Sequence, residues 1–210
     1  MPFRPGIVLC ALAAVALGVG AGASAAAGDA AKRGPKKRTP AEVRAANARA
    51  IAALFDGLAA PEAHWDAIVF HHSATAGGSK ARFDAGHAKK FGDPDGMEYH
   101  FLIGSGIGSE DGLIEVGARW PRQIFAYHLF TRARDEGSIA ICFVGNFELD
   151  GAHPSPAQMA AATALARALT GRYGIARAAV TTHRGIDGRL TQCPGKNFPL
   201  EKLRDGIFGA

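Results

Sequence analysis

Between Thr182 and Gly195 the chain reads T-H-R-G-I-D-G-R-L-T-Q-C-P-G, which puts an imidazole, His183, and a thiol, Cys193, on one short stretch. Those two donors suit a borderline-soft divalent cation, and zinc is the natural candidate because it accepts mixed nitrogen and sulfur ligands. A catalytic zinc site takes three protein ligands and keeps a fourth position open. The third donor is best sought at the end of a strand, where the backbone is rigid, and the run Ala67-Ile68-Val69-Phe70-His71-His72 offers His71. The set is therefore His71, His183 and Cys193. Two other readings of the stretch stand beside it. His183 and Cys193 are ten positions apart (193 minus 183), wider than the close spacings that mark zinc by themselves, so a buried thiol beside a surface imidazole also fits. A disulfide between Cys193 and Cys142 is the third reading, although Cys142 lies inside an apolar run, S-I-A-I-C-F-V, that reads as a buried strand and not as a staple point.

The start of the chain bears on that choice. Arg4, an apolar run from Ile7 to about Val19 and the small residues Ala21 to Ala26 follow the three-part order of a secretory signal, with cleavage expected after Ala25. The apolar run falls short of the ~20 residues that span a bilayer, so membrane contact is expected only through an uncleaved signal. Leu9 stands where a lipidated Cys10 would want a small residue. An exported chain keeps Cys142 and Cys193 in a compartment where disulfides form, the product being periplasmic or secreted.

The net charge of +5 invites a nucleic-acid reading, but its distribution argues against one. Setting aside Arg4, Lys32, Arg33, Lys36, Lys37, Arg38 and Asp29 leaves 18 basic and 18 acidic residues from position 39 onward. Apart from Arg4, the excess sits in residues 26–38, which read as a basic, disordered linker able to lie against anionic wall polymer or lipid. No nucleic-acid partner is expected, and the length suits a monomer with one core.

Positioning the three ligands requires an ordered set of elements. Thr39-Pro40-Ala41-Glu42 is a capping box that opens a helix to about Phe55 or Leu58, inside an N-terminal helical segment at 39–64. Ala67 to Phe70 is a central strand, Ser79 to Lys90 a helix stopped at Gly92, and Glu98 to Ile103 and Leu113 to Val116 two further strands. Ser138 to Val144 is an interior strand, apolar on both faces. Ser155-Pro156-Ala157-Gln158 opens an Ala-rich helix that ends at Gly174; Val180 to Thr182 is a strand handing His183 to a loop, and a helix from Leu200 to about Gly206 closes the chain. The expected fold is an α/β domain at 65–210 with a mixed central β-sheet flanked by helices.

In that order the blocks I-V-F-H-H-S-A-T, M-E-Y-H-F-L-I, S-I-A-I-C-F-V-G-N-F, S-P-A-Q-M and H-R-x(7)-T-Q-C-P-G resemble the zinc-dependent N-acetylmuramoyl-L-alanine amidases, the family of phage lysozyme-amidases and peptidoglycan recognition proteins. The resemblance covers about residues 65 to 203. It implies zinc on His71, His183 and Cys193, a catalytic role for Tyr99, and a second one for Thr191, two places before the Cys. It also implies the substrate: the amide between the lactyl group of N-acetylmuramic acid and L-alanine of the stem peptide, in peptidoglycan or muropeptide fragments. Zinc answers the need for a nucleophile at neutral pH and for a counter-charge to the developing oxyanion, and hydrogen-bond donors such as Tyr99 and Thr191 are worth ~2.7 to 4 kcal/mol each.

Some intracellular members carry a Glu at the position of Cys142, so this chain is closer to the phage and recognition-protein branch. Recognition proteins that have lost catalysis usually lack the metal Cys, which Cys193 supplies here. His128 matches a family His near the cleft and is a candidate substrate contact. Arg119 and Trp120 are either a rim contact for glycan or ordinary packing. His72 should face away from His71, by the alternation of a strand, and His64, His87, His100 and His153 read as packing or surface residues. Two alternatives remain open: a wall-binding module of the same fold without turnover, and a zinc amidase for a different amide.

Overall fold

Strand β1 (Ala67–His72) is interior to the sheet, with a parallel neighbour on each side. The computed structural model describes residues 37–209; the expected signal at 1–25 and most of the linker at 26–38 lie outside them. With β2 (Phe101–Ile103), β3 (Ile114–Val116), β4 (Ser138–Phe143) and β5 (Val180–Thr182), the sheet has the order β3-β2-β4-β1-β5. All neighbours are parallel except the β2–β3 edge pair, which is antiparallel. The sheet is mixed, as expected.

Parallel strands need cover on both faces, which is why β1 and β4 are nearly unbroken apolar runs. On one face Ile68, Phe70, Ile139, Ile141, Phe101 and Val180 pack with Leu165 and Leu169 of α4 (Pro156–Tyr173) and with Leu203 and Ile207 of α6 (Leu200–Phe208). On the other, Leu102, Cys142 and Val144 meet Met97, with Phe83 of α2 (Lys80–Phe91) and Tyr99 against them. Residue Cα partners Phe70↔Thr182 and His71↔Cys142 bring the C-terminal ends of β1, β4 and β5 level. Open parallel sheets bind ligands beyond those ends.

Local chemistry starts and stops the helices as the sequence predicts. Thr39 and Glu42 close a capping box on α1 (Pro40–Ala52), Ser155 and Gln158 close one on α4, and Gly92 and Gly174 end α2 and α4 in the left-handed conformation. Helix α1 ends at Ala52, earlier than expected. It does not stand apart from the domain: buried Asn47 donates to Gly112 O (2.7 Å) and accepts from Ile114 N (2.9 Å), so one amide side chain satisfies part of the exposed edge of β3.

Two expectations need correction, and one alternative that the sequence left open is removed. Strand β2 begins at Phe101 and not at Glu98: Glu98 N donates to His87 Nδ1, a side chain taking a backbone group that a ladder would use, while His100, just outside the strand, donates from N to Ala140 O and accepts from Gly117 N. The stretch after β5 is not a loop: Thr182 accepts from Gly185 N and caps a short helix, α5 (His183–Asp187), followed by a 3-10 turn at Gly188–Leu190. Cys142 and Cys193 are both free thiols, so there is no disulfide between them. Among the described residues no helix is long and apolar enough to cross a membrane.

Candidate metal centre

His71 sits at the C-terminal end of β1, on the face opposite Phe70, and is 1% exposed. His183 opens α5 directly beyond β5. Cys193 is brought back to the same place by backbone hydrogen bonds: Arg184 N donates to Cys193 O (2.8 Å) and Cys193 N donates to Thr191 Oγ1 (3.1 Å). Gly195 makes the return possible. Its φ is +103°, and a Cβ there would lie 2.3 Å from the Phe147 carbonyl carbon, so no other residue fits without moving the backbone.

The result is one cluster of three donors. Ligand atoms of His71, His183 and Cys193 all lie within 4.8 Å of one another, and His71 Nδ1 is 3.6 Å from Cys193 Sγ. Behind them, His71 Nε2 is 2.9 Å from His128 Nδ1. His183 Nε2 is 3.0 Å from Asp187 Oδ2, yet is buried without an aligned hydrogen bond. Asp187 itself is anchored by Phe130 N (2.8 Å) and Thr131 N (3.0 Å), and these, with the Thr131 hydroxyl, hold its carboxyl below the usual range although burial works the other way. Sequence reasoning missed Asp187, although its spacing of four from His183 on a helix was a usable signal.

The electrostatics are those of a neutral donor set. Burial, and then the neighbouring His128 and His183, keep the His71 imidazole well below its ordinary pKa. Burial pushes the Cys193 thiol up to about 12 against the hydrogen bond from His72 N. Neutral imidazoles are ready ligands, and a thiol held neutral by burial is the group that a divalent cation deprotonates on binding. Two nitrogens and one sulfur at this separation fit zinc in its three-ligand, open-position form.

Tyr99 borders the cluster, its ring 5.4 Å from that of His71, and burial followed by the two thiols keeps its phenol protonated far above its normal range. Thr191 stands beside Cys193, its Oγ1 accepting from Cys193 N. His72 points the other way and accepts from Phe147 N (3.1 Å), which bears out the alternation along β1.

The three expected substrate contacts are placed otherwise. The His128 side chain is 0% exposed, so it stands behind His71 and not in the cleft. Trp120 is 1% exposed and stacks on Trp65 in the core, which makes it packing. Arg119 is 2% exposed, with its guanidinium committed to Met97 O, Phe125 O, Asp93 and Glu98. Exposed at the mouth is Phe130, whose ring lies 5.5 Å from that of His183.

Comparison with known proteins agrees with this geometry. The sequence pattern of N-acetylmuramoyl-L-alanine amidase matches residues 61–196. No curated protein matches the sequence closely enough to serve as a relative. Among solved structures, the endolysin N-acetylmuramoyl-L-alanine amidase LysCS from Clostridium intestinale superposes with a TM-score of 0.57 at 29% identity, over 71% of this chain and 90% of that one. Drosophila PGRP-LB shares the fold, with a TM-score of 0.52 at 20% identity over 65% of this chain and 78% of that one. A tyrosine-to-phenylalanine variant of PGRP-LB, in complex with tracheal cytotoxin, is similar at 19% identity and a TM-score of 0.52, over 67% and 80% of the two chains. With the match spanning the strand that carries His71, the helix that carries His183 and the turn that carries Cys193, this chain belongs to the N-acetylmuramoyl-L-alanine amidase family.

Proposed function

We propose that this chain is an exported, zinc-dependent peptidoglycan amidase that cuts the amide between the lactyl group of N-acetylmuramic acid and L-alanine. The observation that carries the reading is the convergence of His71, His183 and Cys193 within 4.8 Å inside the matched segment. Zinc, when bound, supplies Lewis-acid polarisation of the carbonyl and a water whose pKa is lowered to about 7. The chain's own groups do the rest. The Tyr99 phenol stays protonated and so donates a hydrogen bond to the carbonyl oxygen as it gains charge. Thr191 Oγ1 already accepts from Cys193 N, which leaves its proton free for a second donation. Phe130 at the mouth offers an apolar surface to the substrate and covers one side of the His183 ring. Complex formation by a PGRP-LB variant with tracheal cytotoxin supports a muropeptide or peptidoglycan partner. Export rests on the signal-like residues before Ala26, and a single chain carries all the groups named, so a monomer suffices.

The test is zinc content together with release of free stem peptide from purified peptidoglycan, in wild type and in Cys193→Ser. About one zinc per chain, lost with peptide release in the variant, supports the proposal. Zinc retained by wild type without amide cleavage removes the substrate claim. An active wild type free of metal removes the zinc claim.

A further inference from the structure

Behind His71 runs a chain of hydrogen bonds whose directions are determined at its far end. Ser138 Oγ lies 2.6 Å from Arg134 O and 3.5 Å from Asp135 O. Both are carbonyls, which only accept, so the single hydroxyl proton of Ser138 is committed to one of them. Ser138 Oγ is also 3.0 Å from His128 Nε2, and with its proton spent it can only accept there. His128 Nε2 therefore carries hydrogen. The Asp135 carboxylate, with Oδ1 3.8 Å from the same nitrogen, favours the same arrangement, while its Oδ1 holds the ring's backbone by accepting from His128 N and Leu129 N. A neutral imidazole with hydrogen on Nε2 has a bare Nδ1, and that Nδ1 is 2.9 Å from His71 Nε2. The contact is a hydrogen bond only if His71 Nε2 donates. His71 then has a bare Nδ1, the nitrogen that faces Cys193 Sγ at 3.6 Å.

We propose that Ser138 and His128 set the tautomer and orientation of His71, so that Nδ1 presents its lone pair to the metal position. The inference rests on the zinc reading above and explains why His128, with no exposed side-chain surface, stands behind His71 and not in the cleft. His128 is a positioning residue: it acts through His71. Outer partners of a metal-binding imidazole fix ring orientation, and their loss typically costs about 10–100-fold in metal affinity.

Two measurements on the full chain test this. Nitrogen–proton correlation spectra of the metal-free protein report which ring nitrogen carries hydrogen; the expected result is Nε2 for both His71 and His128, and hydrogen on Nδ1 of either overturns the proposal. Zinc affinity, read by competition with a chromophoric chelator, should fall roughly 10–100-fold in His128→Leu. It should return to within a few-fold of wild type in His128→Asn, whose amide oxygen replaces Nδ1 as acceptor. Wild-type affinity in His128→Leu, or equal weakness in both variants, overturns it. If wild type shows the expected tautomers but takes no zinc, the zinc reading fails and the wiring of the two rings survives; tight zinc with reversed tautomers sinks the positioning role alone.

Discussion

The surroundings of His100 and of His71 bury two imidazoles almost completely, at 0% and 1% exposure, and connect them in opposite ways. His100 lies between Trp65 and Trp120, with ring centroids 4.9 and 6.3 Å away. Both of its nitrogens meet the backbone: Ala140 N donates to Nδ1 (2.9 Å) and Nε2 donates to Ile124 O (3.1 Å). His71 meets no backbone group through its ring, only His128 on one side and Cys193 on the other. Main-chain partners are held by the whole sheet and close a ring off, whereas a side-chain thiol can exchange a hydrogen bond for a metal. One imidazole is part of the framework; the other is left available for chemistry.

The comparison breaks most sharply on substitution to alanine. His71→Ala should lose bound zinc and reduce peptide release to background, and it should also lower the thermal midpoint of the metal-free protein, because it leaves His128 Nδ1 without its partner; metal content, activity and a melting curve check this. His100→Ala should cost stability alone. It leaves Ala140 N and Ile124 O unpaired and a cavity between two tryptophans, which costs about 3–5 kcal/mol by denaturant titration, with zinc binding per folded molecule unchanged. A variant at His100 that lost zinc while staying folded would show that the two regions are not separate.

Tyr99→Phe sharpens the catalytic side. It removes a donor and keeps the ring, so kcat should fall about 10²–10³-fold with zinc retained; a fall in zinc instead would make Tyr99 part of the scaffold. The smallest effect is with pH. Burial lowers the His100 pKa from 6.5 to about 4. Between those values the unfolded chain holds a proton there that the folded chain lacks, so stability rises with pH through the window and is lost as pH falls from 6.5 towards 4. The loss from this ring approaches about 3 kcal/mol. Stability of the metal-free protein at pH 7 and pH 4 should therefore change more in wild type than in His100→Ala, and equal changes would refute the burial argument.

The sequence by itself determined what depends on neighbours a few residues away. Thr39 with Glu42, and Ser155 with Gln158, cap their helices through contacts three residues apart. Gly92 and Gly174 end helices through their own backbone freedom, and the apolar runs of β1 and β4 follow from strands covered on both faces. The three donors were legible because their residue types are unusual together and their blocks resemble a known family. Tertiary structure alone decided the surroundings of those donors. Whether Trp120 lined a rim or filled the core, whether Arg119 was free or committed to Asp93 and Glu98, and whether His128 faced substrate or His71 all depend on partners from distant segments. His71 and His128 are 57 residues apart, and Asn47 and Ile114 are 67 apart. Burial and hydrogen-bond satisfaction are sums over such partners, which no local spacing records.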